Sequence, residues 1–150
     1  MQAWIVVGSP DNFELLRERK FDLCGFKASR AKQSGEMQPG DCLVFYLTGV
    51  VQFGGIVEVT SPMFEDTSDL GLRSQSKVGE EFPYRVRTKP VVIPPPGHYI
   101  EVREIADRLD KTRKFGPKKL GMAFRGNLHR IIDADYRTIE RLLRARASAG

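Results

Sequence analysis

The chain has 150 residues, 41% of them hydrophobic, and a net charge of +5. That is enough to bury a core, and it reads as one domain over residues 1–150. No apolar run approaches the roughly 20 residues of a membrane span, and Asp11, Glu14 and Arg17 interrupt the N-terminus where a signal peptide would be apolar. The expectation is therefore a cytoplasmic protein with no membrane partner. Cys24 and Cys42 lack a C-x-x-C spacing and read as reduced, mostly buried thiols.

In chain order, Trp4, Ile5, Val6 and Val7 form a short β-branched run that predicts a buried strand. Gly8 frees the backbone, Ser9 can accept hydrogen bonds from first-turn amides, and Pro10 suits the first position of a helix. Such a helix start carries amide donors and a partial positive charge, either capped by Ser9 or turned toward an anionic or carbonyl-bearing ligand. Phe13, Leu15 and Leu16 on a charged background continue it as a short amphipathic helix. "FDLCGF" at 21–26 reads as a strand or extended segment, "KASRAKQSGEM" as a polar loop or helical turn, and "QPGD" at 38–41 as a tight turn.

"CLVFYLTGVVQFGGIVEV" at 42–59 is the strongest element. Two β-rich runs flank Leu47, Thr48, Gly49 and Val50, where Thr-Gly supplies the turn of a hairpin. The first arm is apolar at nearly every position, as in a strand covered on both faces. Gly54 and Gly55 in the second arm predict a bulge or bend that curls the sheet. After a Ser-Pro turn, residues 81–93 return as a half-exposed strand, with Phe82, Tyr84, Val86 and Thr88 alternating against Arg85, Arg87 and Lys89. Residues 100–109 place Ile100, Ile105 and Leu109 at helical spacing, and 125–132 read as a last strand. Asp133 is the expected cap of a final helix packed through Tyr136, Ile139, Leu142 and Leu143. Short strands dominate and leave little room for βαβ crossovers. The fold class is α+β, built on a small curved sheet or barrel with flanking helices.

Charge is unevenly distributed. Residues 1–100 hold 11 basic and 12 acidic side chains, and residues 101–150 hold the other 13 and 7. No acid separates Lys111, Arg113, Lys114, Lys118, Lys119, Arg125 and Arg130. This segment suits a polyanion, with Phe115 and Phe124 as stacking surfaces, or it is a solubilising face whose phenylalanines belong to the core.

Catalytic and metal chemistry find little support. His98 and His129 have no ligand spacing with the cysteines, so no metal site is assigned. Neither a G-x-S-x-G elbow nor a phosphate-binding glycine loop occurs, so no catalytic residue and no cofactor is assigned.

"AWIVVGSPDNF", "GFKASR" at 25–30, "MQPGDCLVFYLTG" at 37–49, "FGGIVEVTSPMFED" at 53–66 and "EFPYRVR" at 81–87, in that order, resemble the EVE domain family. That family is one of the PUA-like folds and is related to YTH domains. The resemblance implies a curved barrel with flanking helices and a pocket that takes a flipped, often methylated base. In the family's better-known branch the first strand reads Trp-Leu-x-Lys-Ser-Glu-Pro. Here Trp4, Ile5 and Pro10 fit, Val7 and Gly8 occupy the Lys and Ser places, and Ser9 replaces the Glu.

The resemblance therefore implies a ligand-binding wall of Val7, Gly8, Ser9 and Asn12. Phe26 and Lys27 fall on a lining segment, and Tyr46 and Thr48 at the mouth. Arg125 is expected as a phosphate partner, and Trp4 as a support from the core. The leading expectation is a non-catalytic reader of modified or flipped-out bases in single-stranded DNA or RNA. Its alternatives are an enzyme acting on nucleic acid or nucleotides, with Asp41, Lys27 or His129 moving a proton, and a small-molecule sensor or protein-interaction domain.

Overall fold

Alternation along the first strand divides the interior into two cores. The computed structural model of the protein describes residues 1–71 and 82–149. Strand β1 (Ala3–Gly8) leads through Ser9 into helix α1 (Pro10–Glu18). Next come β2 (Leu23–Phe26), a 3-10 turn (Ala28–Arg30) and α2 (Ala31–Gly35). The hairpin β3 (Cys42–Leu47) and β4 (Gln52–Val59) follows, then β5 (Phe64–Glu65) and β6 (Tyr84–Val92). Beyond these lie β7 (Ile100–Glu101), α3 (Val102–Ile105) and 3-10 turns at Ala106–Arg108 and Pro117–Phe124. Strand β8 (Leu128–Ile131) and helix α4 (Asp133–Ala149) complete the described chain.

The strands form one sheet in the order β2-β6-β4-β3-β1-β8, with β5 on β6 and β7 on β4. β1 and β3 are parallel, while β8, β4, β6 and β2 join by antiparallel ladders. The sheet curls into a half-barrel flanked by helices, the predicted α+β architecture. Because successive side chains point to opposite faces, Ala3 and Ile5 with Val44 and Tyr46 enter a core that also takes Ile139 and Leu143 of α4. Trp4 and Val6 with Leu43, Phe45 and Leu47 enter a second core with Phe13 and Leu16 of α1. Both faces of β3 are covered, which is why it reads as an unbroken apolar run. Each large side chain so buried contributes roughly 1.5–3 kcal/mol.

The predicted bulge is present and decides which core receives Phe53. Phe45 pairs with Gly55 while Tyr46 pairs with Phe53, leaving Gly54 unpaired. Phe53 and Ile56 thereby face the same core although they are three residues apart. A Cβ on Gly54 would lie 2.9 Å from the buried Phe13 ring, so no larger residue fits without repacking.

Four expectations are corrected. Arg85, predicted on the exposed face of the 81–93 strand, is only 2% exposed. Its Nε donates to the Phe82 carbonyl, its Nη1 to Ser68 Oγ, its Nη2 to the Ser68 carbonyl, and Asp66 stands 3.5 Å away. These partners come from the loop before the strand, so local alternation could not anticipate them. Glu81, the first residue of that prediction, lies outside the described residues.

The predicted 100–109 helix is broken into β7, one turn of α3 and a 3-10 turn. Ile100 pairs with Phe53, and the Val102 amide donates to the Val51 carbonyl, so the β4 end holds the chain extended. Residues 21 and 22 stay outside β2, because Lys20 and Phe21 take positive φ angles as the chain leaves α1. Asp133 starts α4 rather than preceding it: the Tyr136 amide bonds to the Ile132 carbonyl, and the Asp133 carboxylate accepts from Arg137 Nε.

Candidate functional site

Local sequence builds the rim of β1 directly. Ser9 Oγ accepts the Asn12 amide at 3.1 Å, and Pro10 opens the helix, so the capping role of Ser9 is realised. On the strand side, the Val7 amide donates to the Asn127 carbonyl and the Thr48 amide to the Gly8 carbonyl. Val7, Gly8, Ser9 and Thr48 thus share one rim, with the 126–127 turn on one flank and the β3–β4 turn on the other. A Cβ placed on Gly8 would meet nothing within 4 Å, so the space above the rim is open. Val7, Gly8, Ser9, Asn12 and Thr48 are all half-buried, available to a ligand yet held by the sheet.

The aromatic candidates lie beneath the surface and on opposite faces. Tyr46 stacks on Phe124 with ring centroids 4.0 Å apart and planes 15° apart, inside the first core. Burial raises the Tyr46 hydroxyl above its ordinary pKa. Phe26 is buried in the second core together with Trp4, which is 1% exposed. Of the phenylalanines in the basic segment, Phe124 is buried and Phe115 packs against the first core, so both serve packing. Of the two readings the sequence left open for them, the core role holds, and Phe124 meets Tyr46 of β3 and Phe53 of β4.

Lys27 precedes the 3-10 turn Ala28–Arg30 and is half-buried. That turn and α2 carry the chain from β2 across to β8, at the far edge of the sheet. Arg30 Nη2 lies 3.2 Å from the Cβ position of Gly126, and Arg130 on β8 reaches Glu36 at 2.8 Å. The Arg130 guanidinium also covers the Trp4 ring at 4.8 Å from its centroid. A strip of helical turns therefore bridges the two edges of the half-barrel, close to the rim.

Beside that bridge sits His129, whose Nδ1 is 3.3 Å from Lys111 Nζ. An ammonium can only donate, so Nδ1 accepts and the proton resides on Nε2. Desolvation holds the imidazole below its ordinary pKa, with Lys111 and Arg30 pushing the same way against the carbonyls of Phe124 and Arg125. Lys111 is itself lowered by desolvation. Sequence marks Lys111 only as part of the basic segment and does not single out Arg30 or Gly126. The Arg-Gly-Asn turn at 125–127 was the available signal.

Asp41, considered above as a proton carrier, is committed elsewhere. It is buried, and its carboxylate accepts the amides of Gln2 at 2.9 Å and Gln38 at 3.0 Å, which pins the "QPGD" turn to β1. Among the described residues no cluster of three His, Cys, Asp or Glu could hold a metal ion, and no helix is long and apolar enough to cross a membrane. Both cysteines are free and buried, and burial raises the Cys24 thiol to about 12.

The basic segment presents its charge outward. Lys114, Lys118, Lys119 and Arg125 are exposed and form no ion pair among the described residues. Pro117–Phe124 is a 3-10 run anchored by Leu120, Ala123 and Phe124 in the first core. Its lysines are consequently held at the surface by a buried floor. Arg125 immediately precedes the turn that bonds to Val7.

Several solved structures share this architecture. A YTH domain of Zygosaccharomyces rouxii MRB1 protein, in complex with N6-methyladenosine RNA, aligns with a TM-score of 0.67 at 15% identity over 95% of this chain and 86% of that one. A hypothetical protein from Leishmania major aligns at 0.62 with 16% identity over 97% and 96% of the two chains. Atu2648 from Agrobacterium tumefaciens aligns at 0.59 with 18% identity over 95% and 92%. No curated protein matches in sequence. These likenesses establish the PUA-like, YTH-related fold. The EVE domain model matches residues 2–142, nearly the whole length, and the chain belongs to the EVE domain family.

Proposed function

We propose that this protein binds single-stranded nucleic acid and reads a modified or flipped-out base at the β1 rim, without catalysing a reaction on it. The observation that carries the reading is the basic run of Lys114, Lys118, Lys119 and Arg125, without an ion pair among the described residues, leading into the turn that hydrogen-bonds the open rim at Val7. A nucleic-acid ligand needs cations for its phosphates and a recess with backbone donors for a base edge, and here the two adjoin. The Z. rouxii neighbour's complex with N6-methyladenosine RNA supports the same assignment.

In this reading Val7, Gly8, Ser9, Asn12 and Thr48 form the wall, Lys27 lies beside it, and Arg125 meets a flanking phosphate. Phe26 and Tyr46, both buried and on opposite faces of the sheet, support the wall from the two cores rather than as stacking faces. Extruding a base from a duplex costs a few kcal/mol, so single strands bind more tightly than intact duplex.

Fluorescence polarisation of labelled eight-nucleotide strands, with and without N6-methyladenosine or 5-methylcytosine, at two salt concentrations tests this. Tighter binding of one modified strand establishes a reader. Salt-sensitive binding indifferent to modification leaves a general single-strand binder. Absence of binding to every strand overturns the proposal and favours a small-molecule ligand.

A further inference from the structure

Among the described residues, Arg30 and Lys111 converge on His129 from different elements without a carboxylate partner. Arg30 ends the 3-10 turn after β2; its one hydrogen bond is to Gln33 Oε1 at 3.5 Å, and its Nε is buried with no acceptor. Lys111 Nζ stands 3.3 Å from Nδ1 of the imidazole. The ring's Nε2 is buried with no well-aligned partner, the Phe124 and Arg125 carbonyls being its nearby acceptors. Arg30 Nε thus remains a buried donor without an acceptor beside a second cation that no carboxylate neutralises among the described residues, an arrangement that is costly unless something anionic arrives.

Gly126 shows that the geometry is built rather than incidental. Its φ is +87°, and any Cβ there would lie 3.2 Å from Arg30 Nη2 and 4.0 Å from His129 Cε1. Glycine thus lets the guanidinium lie along the 126–127 turn, whose Asn127 carbonyl is bonded to Val7 at the rim. Glu36, on the same stretch of chain as Arg30, binds Arg130, which lies over Trp4 in the other core.

We propose that Arg30 and Lys111, with His129 and Gly126 between them, form a phosphate-binding notch beside the β1 rim. Arg30 supplies planar guanidinium donors, Lys111 a compact ammonium, and each is suited to phosphate oxygens. The notch seats one phosphate next to the recess and so sets the register of the nucleotide read there. This assignment rests on the proposed function only for the polymer that carries the phosphate, since a free phosphate has the same chemistry.

Two probes separate the sources: inorganic phosphate, and an eight-nucleotide RNA with a 5′-hydroxyl, whose only phosphates are backbone diesters. The chain has two histidines, so a His98→Gln background leaves the His129 imidazole as the one such NMR signal. Arg30→Gln, Lys111→Gln and the exposed α4 variant Arg141→Gln are compared with the parent. Both probes are expected to shift the His129 resonances in the parent and in Arg141→Gln, with the shift lost in Arg30→Gln and Lys111→Gln. RNA affinity should fall about tenfold in either notch variant, with a log–log salt slope shallower by about 0.7 for the lost phosphate contact.

RNA binding with unchanged affinity and slope in both notch variants overturns the notch and leaves the proposed function standing. A phosphate response at His129, lost in the notch variants, with no RNA binding by the parent supports the notch and overturns the nucleic-acid reading. No response to either probe overturns both.

Discussion

The two basic regions of the C-terminal half use their charge differently. Helix α4 carries four arginines, and three are paired: Arg137 with Asp133 at 2.6 Å, Arg144 with Glu140 at 2.8 Å and Arg146 with Glu104 of α3 at 3.0 Å, while Arg141 has no ion pair among the described residues. The 3.6-residue repeat brings positions four apart together, so Arg137 and Arg144 are quenched by acids of their own helix, and Arg146 by α3. Residues 111–130 contain no acid and wind through 3-10 turns. Arg113 and Arg130 find Asp110 and Glu36 outside the stretch, while Lys114, Lys118, Lys119 and Arg125 pair with no acid among the described residues. A count of basic residues therefore overstates what α4 offers a polyanion. Its geometry matters more than the net charge.

One side chain joins the two regions, and its removal should have the largest effect on stability. Asp135 of α4 is buried, and its carboxylate accepts the amides of Asp110 at 2.8 Å and Lys111 at 3.0 Å. Asp135→Ala strands two donors, with an expected cost on the order of 3 kcal/mol. Urea unfolding reads the loss, and hydrogen exchange should show faster exchange at the Asp110 and Lys111 amides. Unchanged exchange there would place the tie between the regions elsewhere.

Binding is the next test of the contrast. Lys118→Glu with Lys119→Glu is expected to weaken single-strand binding and to flatten the log–log salt slope by about 1.4, for two phosphate contacts at about 0.7 each. Arg144→Glu on α4, at a cation already paired with Glu140, should leave the slope within error. Equal losses in the two regions would mean that the ligand follows net charge alone.

Acidification probes the cationic neighbourhood of His129, which Lys111, Arg30 and the Phe124 and Arg125 carbonyls surround. Its folded-state pKa is lowered from the ordinary value of 6.5, so the unfolded chain takes up the proton first. The associated stability is fully present above pH 6.5 and is lost as pH falls through the folded-state value. Urea midpoints measured from pH 7.5 to 5 should decline more steeply in the parent than in His129→Gln; parallel curves would refute the linkage.

The smallest effect is expected in α4. Glu140→Gln removes the partner of Arg144, an exposed i,i+4 pair, and should change stability by no more than about 0.5 kcal/mol. A larger loss would show that these pairs hold the helix rather than merely occupying its charge.

The fold was legible where local chemistry and long-range packing ask for the same residue. Ser9 and Pro10 start α1 as a cap and first-turn proline do in any context. The unbroken apolar run of β3 and the Gly54–Gly55 pair announced a doubly covered strand beside a bulge. Arg85 was misread because strand alternation describes which face a side chain takes, while its burial depended on Ser68, Asp66 and the Phe82 carbonyl. The broken 100–109 helix has the same origin. Helical spacing was present, but the Val51 carbonyl and Phe53 drew the segment onto β4.

For the candidate site the division lies between backbone and contacts. The β1 rim, its cap and the turn beside Thr48 follow from short stretches of sequence, because capping and tight turns involve residues a few positions apart. Burial of Phe26 and Tyr46 on opposite faces, and the meeting of Arg30, Gly126, His129 and Lys111, join residues about 80 to 100 positions apart or strands distant in order. Sequence by itself determined the α+β elements, the family pattern and a stretch of 20 residues without an acid. Only the tertiary structure decided which cations are quenched and which remain open, because pairing requires two side chains within a few ångströms, and curling of the sheet sets those distances.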